Sequence, residues 1–150
     1  MFWMNKQAKL VFDEDRELAA KVAHEAEQLY RSGKMHCAES VLASVQQVFA
    51  PQISPDVLQL ASGFGGGSGA GCICGAVSGG TMALGLVLGN RKGTGAATKE
   101  LHAWFKEEYG ATCCKILTAH GKKGCVGLTG SVAGKVAELL LENGKEPENR

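Results

Sequence analysis

The chain has 150 residues, 45% of them hydrophobic, enough for one domain with one core that needs no disulfides. With 21 Gly and only 3 Pro beside abundant Ala, Leu and Val, the composition suits helices better than a turn-rich β-sandwich. Sixteen basic against fifteen acidic residues give a net charge of +1, which argues against a nucleic-acid binder or a polybasic membrane-surface protein.

Met1–Leu10 has no long apolar stretch and no small-residue cleavage site, so no signal peptide is expected. The first helix is predicted from about Glu14 to Ser32. Asp13, Glu14 and Asp15 complement its dipole, and Leu18, Val22, Ala26, Leu29 and Tyr30 form its apolar stripe. Gly33 stops it. A second helix begins near Cys37, carries Val41, Leu42, Val45 and Phe49 inward, and ends before Pro51. Ser54-Pro55-Asp56 reads as the capped start of a short helix.

Residues 63–71 are a glycine-rich loop, and a long helix follows from about Cys74 to Leu88. Asn90 to Gly95 reads as a loop, and Ala96 to Tyr109 as a helix with Leu101, Trp104 and Phe105 inward. A short helix holds Cys113 and Cys114, Gly121 to Gly124 is a basic turn, and the last helix runs to about Glu142. The expected architecture is all-α: one domain over 1–150 with five main helices around a buried central helix, and flexible ends at 1–12 and 143–150.

No charged residue lies between Asp56 and Arg91. Only Ala76 to Leu88 of this run is strongly apolar, roughly 20 Å of helix and too short to span a bilayer, so a buried helix is expected. Gly71, Gly75 and Gly79 are spaced by four and make a smooth groove on a helix, for helix packing first and for a flat cofactor second. Gly75 and Gly79 are the candidate cofactor-facing glycines.

Nucleotide motifs fail. No G-x-G-x-x-G occurs, and the stretch Gly130 to Val136 has three residues between its glycines where a P-loop needs four. No C-x-x-C occurs, which weakens a structural zinc site, and no C-x-x-C-H occurs, which excludes covalent c-type haem. His24 and His102 read as surface residues, while His36 and His120 lie near cysteines and stay as minor candidates.

The six cysteines carry the signal. Without a leader segment the chain is expected in the reducing cytoplasm, where clustered cysteines mean metal or redox chemistry more often than structural bridges. Cys37, Cys74 and Cys125 fall at or before predicted helix N-termini, where free N–H groups and the helix dipole stabilise a thiolate. Cys37, Cys74, Cys114 and Cys125 are therefore the candidate functional sulfurs, and they are expected to converge. Cys72 and Cys113 are assigned to burial or a supporting role. Cys74, leaving a loop with almost no side chains, is expected to have the lowest thiol pKa of the six.

His36-Cys37-Ala38-Glu39-Ser40-Val41-Leu42, Gly63-Phe64-Gly65-Gly66-Gly67, Cys74-Gly75-Ala76-Val77-Ser78-Gly79, Cys114-Lys115-Ile116-Leu117 and Cys125 occur in this order. The ordered set resembles the family named for its pattern C_GCAxxG_C_C, over roughly residues 20 to 142. The resemblance places the four characteristic cysteines at Cys37, Cys74, Cys114 and Cys125, with Cys72 and Cys113 as departures. It implies a bacterial or archaeal protein, often encoded near transporters, whose redox role is inferred from its cysteines. A related helical module, in the split-Soret type of cytochrome, is associated with an iron–sulfur centre.

The expected function is thiol–disulfide or electron-transfer chemistry, as a possible oxidoreductase. The alternatives are binding of an iron–sulfur cluster or other soft metal by the four cysteines, or an interaction module serving a transporter. The expected partners are a redox partner or transporter component and a second copy of the chain in a homodimer, with no nucleic acid and no nucleotide.

Overall fold

A computed structural model describes residues 13–148. The readings made above for residues 1–12 and for 149–150 lie outside the described residues. The chain is all-α, with five long helices and no strand among the described residues. Helix α1 (Asp13–Arg31) carries its three acids in the first turn and buries Ala19, Val22 and Ala26 along one face. Helix α2 (Cys37–Phe49) starts where the Glu39 carboxylate accepts a 3.0 Å hydrogen bond from the His36 N–H. A 3₁₀ turn, Pro55–Ala61, follows, with the Ser54 hydroxyl accepting from the Asp56 N–H.

Helix α3 (Gly75–Leu88) is closed by Gly89 in the left-handed region. Helix α4 (Arg91–Tyr109) begins at Arg91, not at Ala96 as the glycines suggested. The Asn90 side chain caps it, accepting a 2.7 Å bond from the Gly93 N–H. One good cap is worth about 1 kcal/mol, comparable to the cost of a helical glycine, so Gly93 and Gly95 are carried into the first turns. A single-turn helix α5 (Cys114–Leu117) and the long α6 (Cys125–Glu142) complete the chain.

The main contacts run α1 on α6 and α2 on α3, and α3 and α6 share the centre. Phe105, Leu84, Leu101, Leu139 and Leu140 are fully buried between them. Small residues set the crossing distances. A Cβ on Gly79 would strike the carbonyl and Cα of Ala38 in α2, so α2 and α3 approach backbone to backbone there. After α6 the chain turns at Gly144, and the Glu148 N–H donates to the Val48 carbonyl. No helix among the described residues is long and apolar enough to cross a membrane.

Candidate functional site

Four cysteines sit at four helix starts. Cys37 is the first residue of α2, Cys74 is the N-cap of α3, Cys114 is the first residue of α5 and Cys125 is the first residue of α6. All four line one cavity of about 400 Å³ at one end of the bundle, although up to 88 positions separate them in sequence (125 − 37). Cys37, Cys74 and Cys125 arrive on helices whose bodies are buried in the core, so the packing of α2, α3 and α6 fixes where these three sulfurs meet, whereas the single turn that carries Cys114 buries no residue.

The glycine loop closes the cavity on one side. Gly66, Gly67, Ser68 and Gly69 have φ of 68°, 67°, 63° and 69°, a short left-handed turn in which three of the four residues are glycine, the residue that adopts it most readily. At Gly67 a Cβ would meet the Cys72 backbone and the Cys114 Cβ, at 2.5 and 2.7 Å. The missing side chain therefore lets the loop lie directly on two cysteines. At Gly75 a Cβ would strike Cys37 Sγ and approach the Phe64 carbonyl, which places the Cys37 thiol against the first residue of α3.

A second backbone device ties Cys74 to Cys114. The segments 72–74 and 112–114 pair as an isolated antiparallel bridge centred on Ile73 and Cys113. Cys114 N–H donates to the Cys72 carbonyl at 2.5 Å, and Cys74 N–H donates to the Thr112 carbonyl at 2.7 Å. Cys72 is exposed, Cys113 Sγ donates to the Gly71 carbonyl at 3.2 Å, and neither lines the cavity.

A family model described as "Putative redox-active protein (C_GCAxxG_C_C)" matches residues 35–139, a span that holds all four cavity cysteines. The chain belongs to this family. No curated protein sequence and no solved structure matches it.

In this C_GCAxxG_C_C protein the sulfurs are electrostatically coupled. Burial pushes the Cys74 thiol up to about 11, against the lowering influence of the Ala76 and Val77 backbone amides, and nearby Cys37 and Cys114 push the same way as burial. The low pKa expected for Cys74 is thus overturned. The sulfur lies near the free amides of the helix start but caps none of them, and the loss of water outweighs their field. Cys37 is also raised, first by burial, with the Gly66 and Ala38 N–H groups opposing and Cys125 and Cys114 adding repulsion. Tyr30 is raised by burial and by Cys125, whose sulfur accepts a hydrogen bond from the Tyr30 hydroxyl.

The sequence put Tyr30 on the apolar stripe of α1, and its phenol also lines the sulfur cavity, as do Tyr109 and Lys122. The available signal was a polar-tipped aromatic on an otherwise apolar face. His36 lines the cavity and His120 does not. Of the two candidate glycines, Gly75 lines the cavity, whereas Gly79 stands one turn deeper against Ala38, where α2 fills the groove. No Asp or Glu is among the described residues that line the cavity.

The donor set is four thiols, the set that holds iron–sulfur clusters and thiolate-bound soft metals. Among the described residues no three His, Cys, Asp or Glu side chains stand close enough together to share one ion. The four cysteines share the lining of one space.

Proposed function

We propose that this redox-family protein is an electron carrier whose Cys37, Cys74, Cys114 and Cys125 together ligate an iron–sulfur cluster. The observation that carries the reading is the lining of one cavity by these four sulfurs, each at a helix start, around a volume of about 400 Å³. An iron–sulfur cluster, when bound, supplies reversible one-electron transfer. The chain's own contribution is ligation, hydrogen bonding and exclusion of water.

The electrostatics support ligation over free nucleophilicity. Burial and mutual repulsion disfavour thiolates at Cys37 and Cys74, so both are thiols near neutral pH and weak attackers in the metal-free protein. Cys37, Cys74, Cys114 and Cys125 would give up their protons on holding cationic iron, whose charge would offset the repulsion among these sulfurs. The Gly66 and Ala38 amides at Cys37, the Ala76 and Val77 amides at Cys74 and the Tyr30 hydroxyl at Cys125 favour negative charge on three of these sulfurs. Donors so placed stabilise negative sulfur and would raise the potential of a thiolate-bound centre.

A second reading has one observation of its own, the Cys37 thiol lying beside Gly75, next to Cys74. In the metal-free protein that pair could be oxidised by a disulfide-containing partner. One thiolate would attack the partner disulfide and release a thiol. The other would then attack the mixed disulfide and release the second thiol, leaving a Cys37–Cys74 bond.

Anaerobic purification, followed by absorption spectroscopy with iron and sulfide analysis, decides between the two. The expected result is visible charge-transfer absorption with stoichiometric iron and sulfide. It is lost in Cys→Ser variants at 37, 74, 114 or 125 and kept in those at 72 or 113. A colourless chain that stays metal-free after anaerobic incubation with iron and sulfide, with all six thiols titrating, overturns the cluster in favour of the dithiol reading.

A further inference from the structure

We propose that residues 115–123, the exposed wall of the cysteine cavity, form the docking face for an acidic electron-transfer protein. The proposal rests on the redox reading of the site and names the partner that site would take. Lys115, Lys122 and Lys123 are all exposed on this wall, and no acidic residue occurs between Glu108 and Glu138. These nine residues carry a formal +3 in a chain of net charge +1, so the rest of the sequence sums to −2 (1 − 3). The positive charge is concentrated beside the sulfurs. None of the three lysines is held in an ion pair among the described residues.

An apolar point sits inside the charged patch. Ile116 is 63% exposed yet also lines the cavity, so one side chain touches both solvent and the sulfur site. Tyr109, preceded by the exposed Glu107 and Glu108, also lines the cavity at 36% exposure, so the positive charge belongs to the 115–123 side. A small apolar contact beside a cluster of like charges suits a transient interface, where the charges steer encounter and the apolar side chain makes contact. Electron-transfer complexes are weak and small and work this way. Three lysines are too few to hold nucleic acid, whose binding needs several phosphate contacts. The position over the cavity mouth favours a partner that must come close to the sulfurs over one that merely needs a charged surface.

The test uses flavodoxin as the acidic carrier and cytochrome c as the basic one, with the intact protein and the K115E/K123E double variant. Neither substituted lysine lines the cavity, so the site itself is left in place. Binding is measured by titration calorimetry, and electron exchange by stopped flow, at low and at near-physiological salt. Flavodoxin should bind and exchange electrons at low salt, with both falling at least about tenfold in high salt and in the variant. Cytochrome c should gain in the variant. If no redox centre forms but flavodoxin binding keeps this charge dependence, the docking face stands and the cluster reading fails. If the centre forms and flavodoxin binding is absent or indifferent to the variant, the docking face is wrong. Tight, variant-sensitive binding to phosphatidylserine vesicles without flavodoxin binding likewise overturns it, in favour of a lipid surface.

Discussion

The Cys114 amide hydrogen-bonds to the Cys72 carbonyl at 2.5 Å, so a cysteine outside the cavity holds one inside it in register. With Cys74 N–H bonded to the Thr112 carbonyl, the pairing fixes the spacing of Cys74 and Cys114 through backbone alone. Cys72 and Cys113 therefore need not bind anything to matter at this site. Their Ser variants should keep the backbone bridge, because its two hydrogen bonds use no sulfur and a hydroxyl can replace the Cys113 thiol as donor to the Gly71 carbonyl.

Thiol reactivity should follow exposure and burial, in the reverse of the order that helix position alone suggests. Cys72 is exposed and Cys74 is 6% exposed with its pKa pushed from 9.0 to about 11. That rise cuts the thiolate fraction at neutral pH about hundredfold, and greater intrinsic nucleophilicity returns about tenfold. Mass-resolved alkylation of the reduced, metal-free protein at pH 7 should label Cys72 first and Cys74 at least about tenfold more slowly. Equal rates would show that the helix amides, not burial, govern Cys74.

The metal-free protein should lose stability at alkaline pH. Cys74 is raised in the fold, so the folded state retains its proton over a range where the unfolded chain has released it. The associated stability is complete below about pH 9 and disappears as pH rises through about 11. Its size is on the order of 3 kcal/mol. Urea unfolding midpoints measured from pH 8 to pH 11 should fall steadily, and Cys74→Ala should flatten the fall.

Three glycine-to-alanine changes should separate packing from site. At Gly79 a methyl strikes the Ala38 backbone, which cannot yield cheaply, and a loss of about 1–3 kcal/mol is expected. At Gly75 the methyl meets the Cys37 thiol and the Phe64 carbonyl, so iron loading or thiol reactivity should change more than stability does. Gly95 in α4 has open space around it, and alanine there should stabilise by up to about 1 kcal/mol. Thermal melts beside metal analysis read all three, and a neutral Gly79→Ala would refute the backbone-to-backbone crossing.

The start of α4 rests on one side chain. Asn90→Ala removes the acceptor for the Gly93 N–H, and about 1 kcal/mol of stability with it. Amide exchange should speed up over residues 91–95 and stay slow around Leu101 and Phe105, which the core holds.

By itself the sequence determined the helices and marked the four sulfurs. The apolar spacing in α1, α2 and α6, the stop at Pro51, and the cap-like Ser54-Pro55 are local signals, and local hydrogen bonding and periodicity are what a linear chain records. The start of α4 was missed because two glycines outweighed one capping asparagine in a local reading, while the burial of Ala97, Leu101 and Phe105 is a tertiary matter. The cavity belongs to the same class. Helix-start positions for Cys37, Cys74 and Cys125 were legible, but their meeting, the joining of Cys114 through a backbone bridge, and the turning of Tyr30 toward Cys125 depend on how α1, α2, α3 and α6 cross. The pKa of Cys74 shows the division most plainly. The amides that would lower it are set by the sequence neighbours Ala76 and Val77, whereas the water that would have sustained a thiolate is excluded by segments distant in sequence. Desolvation is a property of the packed whole, so only the tertiary structure could decide that it prevails.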